Sequence, residues 1–388
     1  MNPIRAPLGG IAPPDPADLV VVYSVLADTQ SIEQRALDLA VEQTVEVTAA
    51  LWRAPEVRGR TVGRVERIEP IADGRYEVEI RFPAATVGCE VPQFFSVLFG
   101  NASLMHGVRV ERIVPGPALA SALGGPRFGI RGVRERVRVF DRPLVGSALK
   151  PLGRSVAELA GYAYRLALGG MDLLKDDHGL TNQACCAFQA RVEACADAVR
   201  RANRETGRKT LYFASITGPL DEVLSRALFA KAAGADGVLV SPLVVGLDAL
   251  RLLAQEAQVL VMAHPALAGA FFASPDHGIA HSALLGTAMR LCGADLVIFP
   301  SWGGRFPFTR EVCAGIARSL TQEVHGLRAS WPVPAGGLTL DRVQDLLSVH
   351  GMDTVFLVGS ALYEHSPDLT ENARYFRSLV ESARGIGP

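Results

Sequence analysis

The sequence predicts an α/β chain in which a C-terminal (β/α)8 TIM barrel, residues 126–388, follows a separate α+β unit over 1–125. Three observations carry this expectation. Eight short apolar runs of β type recur from about Arg142 onward, amphipathic helical stretches separate them, and the first 125 residues follow a different pattern. Alternating β and α signals of this regularity indicate a parallel sheet, and eight repeats favour a closed barrel over a doubly wound open sheet.

Within the first unit, 20–26 is strand-like and 32–42 is helical. Segments 63–71 and 75–82 alternate as a hairpin whose turn carries Asp73-Gly74. Pro115, Pro117 and the Gly124-Gly125-Pro126 cluster suit a connection to the next unit. The eight barrel strands are then expected at 144–149, 171–175, 210–215, 237–241, 259–263, 295–299, 330–334 and 353–358. Apolar residues return at three- and four-residue spacing over 156–168, 192–204, 221–233, 279–292, 310–322, 340–349 and 369–383, which predicts the intervening helices.

A chain of 388 residues with 49% hydrophobic and 20% charged residues can bury a large core. Its 39 Lys and Arg nearly balance 40 Asp and Glu, so nothing in the net charge draws it to nucleic acid or an anionic membrane. The N-terminal MNPIRAPLGGIAPPDPADL has no apolar h-region, and no later stretch reads as a spanning helix, so a cytoplasmic location is expected. Six cysteines without a CxxC pair read as reduced thiols, with Cys185 and Cys186 as small lining residues.

In a βα barrel, polar residues at the C-terminal ends of strands point into the site. Lys150 ends the first strand, Lys175 to His178 end the second, and His264 ends the fifth. Ser301 to Arg305 follow the sixth, Gly336-Gly337 the seventh and Gly359-Ser360 the eighth. A strand-end lysine is costly to bury unless its charge is paired or used; pairing of Lys175 with Asp177 is the structural alternative to a chemical role. The glycine pairs leave backbone N–H groups open to an oxyanion, though glycines also serve as plain turn residues.

Six segments, FFSVLFGNASLMHGVRVERI, RPLVGSALKPLGRS, GGMDLLKDDHGLTNQ, VMAHPALAGAFF, GADLVIFPSWGGRF and PVPAGGLTLDRV, occur in an order that resembles RuBisCO and its non-carboxylating form IV relatives over nearly the whole chain. The resemblance implies a ferredoxin-like N-terminal domain. It also implies that Lys150 is the strand-one catalytic lysine, and that Lys175, carbamylated by CO2, joins Asp177 in holding Mg2+. Carbamylation turns a cation into an oxygen donor suited to a hard metal. His178 stands where the family has a glutamate ligand, which opens three readings: Mg2+ with fewer protein ligands, a transition metal, or an acid–base role for His178. His264 is kept from the HRAMH-type segment, but Pro265 to Ala268 lose its arginine and second histidine. Arg305 is the only cation in SWGGRF, and Leu152 replaces the second lysine of the KPK motif. Carbon fixation is therefore not expected.

The resemblance further implies one phosphate at Gly336, Gly337 and Gly359, with Ser360 in place of a further glycine. Glu42 and Asn101 resemble residues that reach into a neighbouring subunit's site, which implies a homodimer, with assembly of dimers into larger oligomers left open. KDDHGL, AHPAL and FPSWGGRF look most like the branch acting on 3-oxo sugar-acid phosphates, so the leading expectation is decarboxylation or transcarboxylation/hydrolysis of a phosphorylated keto acid through an enolate, with Lys150 or His264 handling the proton. The alternatives are an enolase or isomerase of the methionine-salvage type, which moves no carboxyl group, and a binding protein that kept the scaffold without catalysis.

Overall fold

Every second residue over 75–82 is apolar, and Tyr76, Val78, Ile80 and Phe82 are all buried in the strand Arg75–Phe82. This strand pairs antiparallel with Arg64–Ala72 on one side and Leu19–Leu26 on the other, and Leu19–Leu26 pairs in turn with Val108–Val114. The helices Ile32–Glu42 and Val91–Phe99 complete a strand–helix–strand–strand–helix–strand order, the ferredoxin-like arrangement. A bond from the Tyr23 hydroxyl to Leu98 O, 2.8 Å, ties the second helix to the sheet.

The computed structural model describes residues 8–72 and 74–383, so Asp73 of the expected turn lies outside the described residues. The chain divides into two compact units. The first runs through Gly125 and includes Leu267–Cys292 and Glu323–Leu327; the second holds Pro126–Ala266, Gly293–Gln322 and the chain from Arg328 onward. Two local expectations are corrected in the first unit. Pro117 does not sit in a loop but begins the helix Pro117–Leu123, where its missing N–H would have had no partner anyway. Ile279 is not helical: Gly278–Ile279 adds a short parallel strand to Val108–Val114, and helical structure begins at Ser282.

In the second unit the eight strands are Leu144–Leu149, Leu173–Asp176, Leu211–Ser215, Gly237–Val240, Leu260–Ala263, Leu296–Pro300, Trp331–Ala335 and Val355–Val358. They are parallel, and the ladder is continuous from the seventh strand round to the eighth through the other six. The remaining seam has a covalent cause. Trp331 N–H donates to Asp295 O, toward the sixth strand, so the alternate positions Pro332 and Pro334 face the eighth and have no N–H to give it. The Thr354 hydroxyl, 3.2 Å from Pro332 O, spans the seam instead.

Helix Gly129–Val137, which sequence reasoning did not anticipate, seals the N-terminal mouth. Its Val133 and Val137 belong to the same buried cluster as Leu144, Leu211, Leu260 and Trp331 at the starts of strands. Arg134 stacks on Trp331, 4.8 Å to the ring centre, and pairs with Asp353 at 2.7 Å. With one end filled, chemistry is confined to the other. Among the described residues no helix is long and apolar enough to cross a membrane.

Candidate active site

Side chains alternate along a strand, so the inward set that starts with Leu173 continues to Lys175 and Asp177, and the set that starts with Leu144 ends at Lys150. Ala148 lies opposite Lys175 and Lys175 opposite Phe213; the Asp177 N–H donates to Leu149 O. Carried two residues on, this register puts Lys150, Asp177 and Ser215 in one row across the first three strands. Ser215 was missed from the sequence, where a serine at a strand end carries no distinguishing mark. It is fully buried, and its Oγ has no hydrogen-bond partner among the described residues.

Lys175 is only 4% exposed. Its Nζ donates to Asp176 O at 3.0 Å and forms no ion pair among the described residues, so the structural alternative of a Lys175–Asp177 salt bridge is not what the fold contains. Burial, aided by the nearby charge of Lys150 and opposed by Asp177, brings the Lys175 amine down to about 8. Burial alone would raise the Asp177 carboxyl, but the His178 hydrogen bond and the charges of Lys175 and Lys150 outweigh it and hold Asp177 at about 2. Asp176, between these two, points the other way: its carboxylate takes Arg191 Nε at 3.0 Å, the Tyr212 hydroxyl at 2.9 Å and Ser215 N–H at 2.9 Å in a fully buried cluster. That cluster locks the second and third strands behind the site.

His178 Nδ1 is 3.6 Å from Asp177 Oδ1, and the half-exposed ring stacks on His264. His264 Nδ1 accepts the Ala266 N–H at 3.1 Å. Burial, followed by the charges of Lys175 and His178, depresses this imidazole to about 2. The ring is therefore neutral, and its one proton sits on Nε2, where it can be donated.

Across the mouth, the sixth and seventh βα loops interlock. Arg305 N–H donates to Gly336 O at 3.0 Å, and a Cβ on Gly337 would meet Gly304 Cα at 2.9 Å. Gly337 also holds φ +113°, so both space and backbone exclude a side chain there. The N–H groups of Gly336, Gly337 and Gly359 have no acceptor among the described residues. Arg305 is exposed, with its guanidinium 5.5 Å over Phe306 and no carboxylate partner among the described residues. Lys150 Nζ lies against Gly359, 3.2 Å from where a Cβ would stand. Ser360 opens the short helix Ser360–Glu364 and is exposed. In the other unit, Asn101 Nδ2 donates to Glu42 Oε1 at 2.9 Å, so those two residues come together. Cys186 is buried and Cys185 exposed, both as free thiols.

Among the described residues no three His, Cys, Asp or Glu side chains converge as a metal site. Asp177 and His178 offer one carboxylate and one imidazole, and a protonated Lys175 beside them opposes a cation. A carbamate on Lys175 would reverse that charge and complete a three-donor set, so the residues fit a divalent cation in that form.

The family model for the ribulose bisphosphate carboxylase large chain, catalytic domain, matches residues 129–383. The 5-methylthioribulose-1-phosphate isomerase of Rhodospirillum rubrum is 41% identical over 95% of this chain and 98% of its own. The 2,3-diketo-5-methylthiopentyl-1-phosphate enolase of Geobacillus thermodenitrificans is 33% identical over 94% and 92%. The crystal structure of a RuBisCO-like protein from Rhodopseudomonas palustris superposes with a TM-score of 0.85 at 39% identity, over 94% of this chain and 98% of that one. The chain belongs to the ribulose bisphosphate carboxylase large-chain family, among its RuBisCO-like members.

Proposed function

We propose that this RuBisCO-like chain is an enzyme of the isomerase or enolase type, which moves a proton beside the carbonyl of a sugar or diketone bearing one phosphate and transfers no carboxyl group. The observation that carries the reading is the row of Lys150 and Asp177 above the buried, unpaired Lys175: amines and an anion grouped at one end of the barrel suit proton transfer and enolate stabilisation. The two relatives named for an activity are an isomerase and an enolase, matched over nearly their full lengths. Decarboxylation rests on short motifs alone, so the second of the sequence readings takes precedence over the first.

In this reading the phosphate sits on the free N–H groups of Gly336, Gly337 and Gly359, with Arg305 beside them. The neutral His264 donates its Nε2–H to the carbonyl oxygen. A donor that carries no charge of its own strengthens its hydrogen bond as negative charge builds on that oxygen. Lys150, held against Gly359, carries the proton to or from the adjacent carbon. Lys175 as carbamate, Asp177 and His178 would hold Mg2+ or another divalent cation, which when bound supplies a Lewis acid for the enolate oxygen. Glu42 and Asn101 serve the site of a second copy in a homodimer.

The test is NMR in D2O with 5-methylthioribulose 1-phosphate, 2,3-diketo-5-methylthiopentyl 1-phosphate and 3-oxo-isoapionate 4-phosphate, the last labelled in its carboxyl carbon. Solvent deuterium entering either of the first two without CO2 release supports the proposal. Release of labelled CO2 from the third, with no exchange in the others, overturns it in favour of decarboxylation.

A further inference from the structure

A buried hydroxyl without a partner is costly, because folding strips its water and returns nothing. Ser215 is such a group. It lies on the inner face of the third strand, continuing the inward set of Leu211 and Phe213, and it is level with Asp177 on the second. Its backbone is fixed on both sides: Ser215 N–H goes to Asp176 Oδ2 at 2.9 Å, and Ile216 N–H to Leu239 O at 2.9 Å. The hydroxyl cannot leave the interior by a shift of the strand.

Lys175 begins one inward position lower, and its Nζ rises to the level of the next peptide, where it donates to Asp176 O. The amine end and the Ser215 hydroxyl are thus brought to the same height on adjacent strands. Both are shut from solvent, Ser215 at 0% and Lys175 at 4% exposure. A group placed between them has to be small, and CO2 bound to the amine is of that size.

We propose that the Ser215 hydroxyl is the built-in partner of a carbamate on Lys175, donating its proton to one carbamate oxygen and so favouring the modified lysine over the free amine. The bond that forms is between Nζ and the carbon of CO2. One C–O π bond becomes the carboxylate, and Nζ, an ammonium beforehand, gives up two protons to solvent. Asp177, in the same row, would then be a second oxygen donor for a cation. The inference deepens the cation site of the proposed function and rests on it only for the use made of the carbamate.

The chain has four lysines, Lys150, Lys175, Lys209 and Lys231, which makes the modification readable without substrate or metal. Protein labelled with 13C at the lysine ε-carbon is titrated with 13C-bicarbonate, and the carbamate signal is assigned by its loss in Lys175→Arg. Ser215→Ala is expected to weaken CO2 uptake at Lys175 roughly tenfold or more, as for loss of a hydrogen bond to a charged group, and Ser215→Thr, which keeps the hydroxyl, to restore it. Without CO2, Ser215→Ala should unfold at the same temperature as the parent or higher, since it removes an unsatisfied group; a purely structural serine would give the reverse. Equal CO2 affinity in parent and Ser215→Ala, or no Lys175 carbamate in the parent at saturating bicarbonate, overturns the inference. Neither result bears on the deuterium-exchange test, which reports proton transfer directly.

Discussion

The imidazole of His178 lies flat on that of His264, ring centroids 4.1 Å apart and planes 9° from parallel. The outer ring is half exposed and covers one face of the inner one, which is half-buried. His178→Ala removes both the cover and a nearby charge. The His264 pKa should then rise from about 2 toward the ordinary 6.5. Below that pH the ring would gain a proton, and a new acid limb should appear in the profile of kcat/KM. His178→Phe keeps the cover and should show no such limb. NMR titration of the His264 ring in each variant checks the assignment.

Lys175 is a cation held in a closed interior and, among the described residues, in no ion pair. Its amine falls from 10.5 to about 8, so between those values the unfolded chain binds a proton that the folded one does not. The stability this group allows is therefore complete only above about 10.5 and is lost as pH falls through about 8. At neutral pH the native state bears the full cost. Lys175→Met should raise the unfolding temperature at pH 7, by an amount equivalent to about 1–3 kcal/mol, and the gain should shrink toward pH 10. Turnover should fall roughly a thousandfold, as for loss of a group that would hold the Lewis acid at the enolate oxygen. A variant that is both less stable and fully active would remove Lys175 from the site.

Much of this was legible in the sequence because a lysine interrupts an otherwise apolar strand, as in GSALK and MDLLK, and only four lysines stand among 39 basic residues. The barrel strands were visible for the same reason: runs such as Leu144–Leu149 are buried along their whole length and so are uniformly apolar. What stayed hidden depends on register or on pairing at a distance. Asp176 and Asp177 are chemically identical, and only the alternation of the strand sends one to Arg191 and the other to the site. Ser215 became visible once the third strand was aligned with the second. Strand Val108–Val114 escaped notice because its solvent side is charged, RVERIV, and helix Gly129–Val137 because four of its nine residues are Arg or Glu.

Gly359 lies where the eighth strand ends, and the ammonium of Lys150 occupies the space a side chain would need, with a Cβ 3.2 Å from Nζ. Gly359 holds φ −106° and ψ −114°, outside the regions alanine favours, so circular dichroism of Gly359→Ala is read first to establish that it folds. The methyl would push Lys150 aside by a few tenths of an ångström. A misplacement of that order in a proton carrier lowers kcat by roughly tenfold or more, with a smaller change in KM. A normal kcat in this variant would mean that Lys150 does not need to sit against Gly359 to work.

The sixth loop carries Arg305, and a second arginine holds the loop in place. Arg342 Nη1 donates to Trp302 O at 2.5 Å, its guanidinium lies 5.1 Å from the centre of the Trp302 ring, and Nη2 pairs with Asp345 at 2.9 Å. Together with the Arg305–Gly336 backbone bond, this fixes the loop at two points against the seventh. Arg342→Ala should free the Trp302 end while the barrel stays folded, because none of these contacts reaches the core cluster. Trp52 and Trp331 are buried, so acrylamide quenching of fluorescence reports mainly on Trp302 and should increase. If the interlocked loops present Arg305 and the glycine N–H groups to a phosphate, KM should rise about tenfold with kcat little changed, since the energy lost is that of holding the substrate. Arg342→Lys keeps a cation but not the planar fork and should fall between the two. Increased quenching with an unchanged KM would show that the sixth loop does not take part in phosphate binding.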